Sequence, residues 1–107
     1  MIKTTCIGAY PKPGFVELPD WFTTSGGTDT SDPTKWWADA MVAMGNEAED
    51  IISKGVAEVL ADQEHAGIDI PTDGEVPREN YIHYHCRHLE GIDFSNLTEK
   101  TLRNGAY

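Results

Sequence analysis

Only eight of the 107 residues are basic, against eighteen acidic ones, so the formal net charge is −10. A polyanion would be repelled by such a chain before any local contact could form, which excludes nucleic acid and anionic membrane surfaces as partners. Cysteine is scarce as well. Cys6 and Cys86 are the only two; they lie far apart in a chain with no export signal, so no disulfide framework is expected and both read as reduced packing thiols. Long apolar runs are also missing. No stretch approaches the roughly 18 to 20 residues that span a bilayer, and the N-terminus lacks an apolar core of roughly 7 to 15 residues such as a secretory signal needs. The expectation is a soluble, cytoplasmic protein. What remains is ordinary for a globular domain: 39% apolar residues, with three Trp, four Tyr and three Phe. That is enough apolar surface to offset chain entropy in one packed domain.

Residues 3 to 9 carry β-branched residues and then small ones, and Pro11, Pro13 and Gly14 follow at once, which predicts a short strand. Residues 11 to 32 show no sustained period and are rich in Gly, Ser and Thr near their end, so they read as a long surface loop, with Trp21 and Phe22 suited to a covering role. Asp32-Pro33 supplies a cap and a proline at the first helical position, predicting a helix over about 33–44 with Trp37, Ala40, Met41 and Met44 on one face. Its neighbour Trp36 points elsewhere. Asn46, with Glu49 three residues on, reads as the cap of a second helix over about 47–66. Along it Ala48, Ile51, Ile52, Gly55, Val56, Val59, Leu60 and Gln63 form one unbroken stripe, and Gly67 supplies the stop. Residues 68–72 then read as a second strand, parallel to the first, which completes a βαβ unit. A third helix is predicted over about 78–89, with Ile82, His85, Cys86 and Leu89 facing the core and Gly91 ending it. Residues 95–103 could hold one more short helix.

In a parallel α/β sheet or barrel, ligands meet the loops that follow the strands. Two segments occupy that position: Ile7-Gly8-Ala9-Tyr10 and Asp73-Gly74-Glu75. Gly8 would let a ligand approach the backbone, and Glu75 could hold an ammonium group or take part in proton transfer. The plainer alternative is a tight acidic turn with Glu75 facing solvent. His83, His85, Cys86 and His88 look like metal ligands, but helical spacing sends the pairs His83/Cys86 and His85/His88 in different directions, and zinc needs about four ligands in a tetrahedral array. The segment therefore reads as a core-facing helix with surface imidazoles, and no metal ligand is assigned in the chain.

Three segments taken together carry a resemblance. Thr4-Thr5-Cys6-Ile7-Gly8-Ala9-Tyr10-Pro11-Lys12-Pro13, then Asp62 through Glu75 (DQEHAGIDIPTDGE), then Arg78-Glu79-Asn80-Tyr81, resemble the start of the catalytic barrel of the cobalamin-independent methionine synthase family and its shorter relatives. The resemblance implies an α/β fold, the first βα units of a TIM-type (β/α)8 barrel left incomplete in this chain. It implies methyl transfer from a methylated folate to a thiol, homocysteine in the best-known members, with zinc in a full-length relative. By the same resemblance Ile7, Gly8 and Ala9 fall on the strand-one triplet that contacts homocysteine. Asp73 and Glu75 fall on the turn that holds the amino acid. Ala9 stands where the family usually has serine, which leaves room for a different thiol alkyl or methyl transfer on the same barrel. The family's zinc ligands belong to later barrel segments, so the chain is expected to carry no catalytic residue and no metal of its own. A barrel of this kind takes about 200 residues or more. The chain therefore reads as an N-terminal piece, inactive alone, whose uncovered apolar faces drive formation of a homo-oligomer.

Overall fold

A computed structural model describes residues 1–18, 33–79, 82–96 and 98, with the side chains of 33–36 left aside. The readings that fall on Trp21, Phe22, the Gly/Ser/Thr-rich stretch, the Asp32 cap, the Trp36 ring, Asn80, Tyr81 and most of 95–103 lie outside these residues.

Helix α1 runs Pro33–Met44 and helix α2 runs Ala48–His65, joined by a single 3-10 turn at Gly45–Glu47. The turn corrects the reading of Asn46 as a cap, since neither flanking residue makes a side-chain capping bond. Gly45 adopts φ +60°, and the Ala48 N–H donates to its carbonyl, so the backbone closes the corner by itself. The stripe along α2 is the face that packs. Ala48, Gly55, Val59 and Gln63 are buried in it, and Ile51, Ile52 and Val56 lie against the same cluster. Opposite them come Met44 with Trp37, Ala40 and Met41 of α1. At the far end α2 stops on Gly67 at φ +79°. Gly67 N–H donates to the Glu64 carbonyl (3.0 Å) and Ile68 N–H to the Gln63 carbonyl (3.0 Å), the paired bonds of a Schellman stop.

Val16 and Leu18 are buried core residues, which corrects the reading of 11–32 as surface loop from its first residue. The segment after Pro13 turns back, with Val16 N–H on the Pro13 carbonyl (2.9 Å), and lays Val16 over Gly55. A Cβ at Gly55 would stand 2.6 Å from Val16 Cγ2 and 3.2 Å from Val76 Cγ1, so this crossing admits only glycine on the helix.

Two parallel strands over 3–9 and 68–72 do not form among the described residues; Thr5 and Ile70 make one isolated parallel bridge. Parallel alignment is kept along the whole stretch, because Ile70 N–H donates to the Thr4 carbonyl (3.0 Å) and, further on, Tyr10 N–H donates to the Gly74 carbonyl (2.8 Å). Side chains replace the rest of the ladder. The Asp69 carboxylate accepts from both Thr4 N–H (2.8 Å) and the Thr4 hydroxyl (2.9 Å), which holds its pKa below the usual aspartate value, and the Thr5 hydroxyl donates to the Ile70 carbonyl (2.7 Å). A lone pair of extended segments is marginal as a sheet, and among the described residues polar side chains take the backbone groups that a ladder would use.

The third helix is also shorter than its pattern. α3 spans only His83–Cys86, four residues. Its exit tightens into i→i+3 bonds, His88 N–H to the His85 carbonyl and Leu89 N–H to the Cys86 carbonyl. Most of the face predicted to meet the core is turned outward: Ile82 and Leu89 are 50% and 61% exposed and His85 is exposed, while Cys86 is half-buried. Burying the Glu79–Arg87 ion pair rotates the segment so that polar groups, and not the apolar stripe, face inward.

The Gln63 side chain, 2% exposed, ties the second segment to α2. Its Nε2 donates to the carbonyls of Thr72 (2.8 Å) and Val59 (3.0 Å), and its Oε1 accepts from Thr72 N–H (3.0 Å). Gln63→Leu keeps the volume and strips both partners from the Thr72 peptide groups. It should lower unfolding free energy by about 2 to 4 kcal/mol, read from urea denaturation followed by circular dichroism; a change within about 0.5 kcal/mol, as for ordinary surface substitutions, would show that this amide holds nothing.

Candidate functional site

The loop after residue 72 is shaped by two consecutive left-handed residues. Val76 N–H donates to the Asp73 carbonyl (3.2 Å), and between them Gly74 and Glu75 have φ +62° and +57°. Positive φ at both central positions marks a type I′ turn. Side chains brace it from the N-terminal side: Asp73 Oδ1 accepts from Glu75 N–H (3.0 Å) and Thr72 Oγ1 accepts from Gly74 N–H (3.3 Å). Gly74 is required twice over. Beyond its φ, a Cβ there would meet Tyr10 Cβ and Val59 Cγ1, each at 2.7 Å.

Glu75 is the one non-glycine residue with positive φ among those described. A side chain in this region costs of order 1 kcal/mol or more, and such residues persist where the surroundings over-determine them. Here the surroundings are Val76, fully buried, the Asp73 brace, and Arg78, whose N–H donates to the Glu75 carbonyl (2.9 Å) while its Nη1 lies 3.4 Å from Glu75 Oε1. Both partners of that ion pair keep 29% of their side-chain surface exposed, so it orients the carboxylate more than it stabilises the fold.

The structure brings the two predicted loops together through the Tyr10–Gly74 bond. Gly8 has φ +86°, with no heavy atom within 4 Å of the position a Cβ would take, so its backbone is approachable. Ala9 is half-buried beside it, and Ile7 is fully exposed. Asp73, exposed, spends one carboxylate oxygen inside the turn, and Glu75, half-buried, turns one of its own toward Arg78.

A second polar cluster escaped the sequence reading. Glu79, 3% exposed, is ion-paired to Arg87, whose guanidinium carbon lies 4.2 Å above the centre of the Trp37 ring. Among the described residues, Glu79 Oε1 and Arg87 Nη1 are buried without a hydrogen-bond partner. An acid and an arginine eight residues apart in a polar run give no periodic signal, so only the fold pairs them. Next to them the His83 imidazole is held below its usual pKa, mainly by burial and further by the Arg87 charge, against the opposing pull of Glu79. Tyr84 stands edge-on to both His85 and His88, at 5.3 and 5.0 Å between ring centres. Among the described residues no group of three or more His, Cys, Asp or Glu could hold a metal ion.

The strain at Glu75 has a direct test that is independent of its charge. Glu75→Gly and Glu75→Ala both lose the Arg78 contact, but only glycine is at ease with φ +57°. The glycine variant should be the more stable of the two by about 1 kcal/mol, measured as melting temperatures; an alanine variant equal to it or better would show an unstrained turn.

Comparison with known proteins matches residues 2–103 to the model of the cobalamin-independent synthase catalytic domain. Among curated proteins, the methionine synthase of Saccharolobus islandicus (strain Y.N.15.51) is 29% identical over 94 residues, 88% of this chain and 24% of the relative. The methionine synthase of Sulfolobus acidocaldarius is 29% identical over 94 residues, again 88% of this chain, and 23% of the relative. The chain thus spans about a quarter of the length of these relatives. No solved structure matches significantly. With nearly its whole length matched, the chain belongs to the family of the cobalamin-independent synthase catalytic domain.

Proposed function

We propose that this chain contributes the amino-acid half of a thiol methyltransferase site in methionine biosynthesis, with homocysteine as acceptor and a methylated folate as donor in a complete, zinc-dependent relative. Family membership supports the reaction class, and the relatives bear the name methionine synthase. The observation that carries the reading is Glu75, held in a strained left-handed turn whose Gly74 carbonyl is bonded to the Gly8-Ala9-Tyr10 segment. In this reading the Glu75 carboxylate takes the α-ammonium of the amino acid, with Arg78 keeping it aimed, and the open Gly8 backbone and Ile7 border the same ligand. Asp73 braces the turn. Zinc, in a complete relative, would convert the thiol to a thiolate; the ligand set is not assembled in the described part of this chain, so the isolated chain binds without turning over. Ala9 in the position of a serine removes one hydroxyl contact and favours, as a second reading, a different thiol acceptor on the same scaffold. The setting is the cytoplasm.

A titration of the chain with L-homocysteine tests this. Amide resonances of Gly8, Gly74 and Glu75 should shift together, and Glu75→Gln should weaken binding by about tenfold or more. Saturating ligand that leaves these three amides unmoved would overturn the assignment.

Self-association belongs to the same reading. Ile2 and Ile7 are 94% and 100% exposed, and Ile70 is half-exposed, along two extended segments with almost no ladder of their own. Such edges pair with other chains unless blocked. Sedimentation velocity at micromolar protein should show species larger than one chain, and Ile7→Lys should shift them toward monomer; a wild-type monomer at every concentration tested would refute it.

A further inference from the structure

We propose that Tyr84 is a positioning residue for the Glu75 site: its ring carries the Arg78 guanidinium and, through it, fixes the direction of the Glu75 carboxylate. The inference rests on Glu75 as the acceptor of the amino-acid ammonium and adds what sets its aim. Glu75 Oε1 lies 3.4 Å from Arg78 Nη1, and both side chains are partly open to water. An ion pair so exposed is worth little and does not by itself hold two long side chains in one geometry. Arg78 has a second support. Its guanidinium carbon lies over the Tyr84 ring, 5.5 Å from the centre, within reach of a cation–π contact. A planar guanidinium stacked on an aromatic face keeps its fork of donors in one plane.

The Tyr84 ring is itself held. It meets His85 at 5.3 Å with the rings 83° apart, and His88 at 5.0 Å and 66°. The α3 turn that carries it is closed by the Cys86 N–H on the Ile82 carbonyl (3.0 Å). One residue beyond α3, Arg87 is paired to buried Glu79 and lies over Trp37 of α1. Support therefore runs from α1 through the 82–88 segment to Tyr84, then to Arg78, then to Glu75. The histidines at 85 and 88, whose types suggest metal ligands, stand here as the walls of an aromatic platform. The backbone of the turn is set separately, by the Asp73 brace and the close packing at Gly74. Losing the ring would thus leave the turn in place and free the two side chains above it.

Nitrogen-15 relaxation of the ligand-free chain at mildly acidic pH tests the platform directly. The Arg78 Nε–H should be nearly as ordered as the backbone in the wild type and in Tyr84→Phe, and clearly more mobile in Tyr84→Leu, with the backbone of residues 73–76 equally ordered in all three. Titration with L-homocysteine tests the consequence. Tyr84→Leu should weaken binding by about two- to fivefold, the factor that one such contact at an exposed site converts to, and Tyr84→Phe should restore it. Arg78→Gln alone, a change at a part-exposed position, should cost at least as much, and adding Tyr84→Leu to it should cost nothing further. A wild type that does not bind homocysteine would remove the Glu75 reading, while the ligand-free order of Arg78 would still decide the role of Tyr84. An Arg78 as mobile in the wild type as in Tyr84→Leu, equal affinity of Tyr84→Leu and wild type, full affinity in Arg78→Gln, or a loss on Tyr84→Leu that persists beside Arg78→Gln would each overturn the proposal.

Discussion

One buried amide holds the molecule's second half in place. Gln63 presents its carboxamide to Thr72 as a neighbouring strand would present a peptide group, donating to the Thr72 carbonyl at 2.8 Å and accepting from its N–H at 3.0 Å. A helix cannot normally supply backbone partners to an extended segment, since its own are spent internally. A glutamine in its last turn can. The Schellman stop at Gly67 then returns the chain beneath that side chain, so helix end, turn and extended segment are fixed by one group of bonds.

From that anchor the close approaches follow. Val76, wholly buried, and Val16 close over Gly55, while Tyr10 and Val59 close over Gly74. Both glycines sit where backbone must come nearer to a neighbour than any Cβ allows. The result is a loop pressed between the N-terminal segment and α2, with Glu75 forced into a left-handed conformation at its outer edge. Packing on one side of the turn thereby sets the direction of a carboxylate on the other.

Arg78 links this loop to the polar cluster beyond it. It reaches back to Glu75 and lies 5.5 Å over the Tyr84 ring, which in turn meets His85 and His88. The interior face of the 82–94 segment is accordingly polar and aromatic, organised about Arg87 against Trp37. Buried ion pairs of this kind add little net stability relative to apolar packing, because desolvation offsets their attraction, but they strongly disfavour any arrangement that leaves one charge alone. That selectivity explains why Ile82 and Leu89 yield the interior to Glu79 and Arg87.

Local pattern was sufficient for much of this protein. Two helices with their packing faces, the glycine stop and the acidic turn after residue 72 all depend on neighbours within a few positions, where the periods of the helix and the φ preferences of glycine and proline act directly. Pairing of Tyr10 with Gly74, the burial of Val16 and Leu18, and the joining of Glu79 to Arg87 and Trp37 were decided by tertiary structure alone. They are contacts across tens of residues, or depend on which face of a short helix a buried charge claims. The predicted strands mark the boundary between the two. Their β-branched composition was legible, yet among the described residues the two segments share a single bridge, and their backbone groups go to the side chains of Thr4, Asp69 and Gln63 instead.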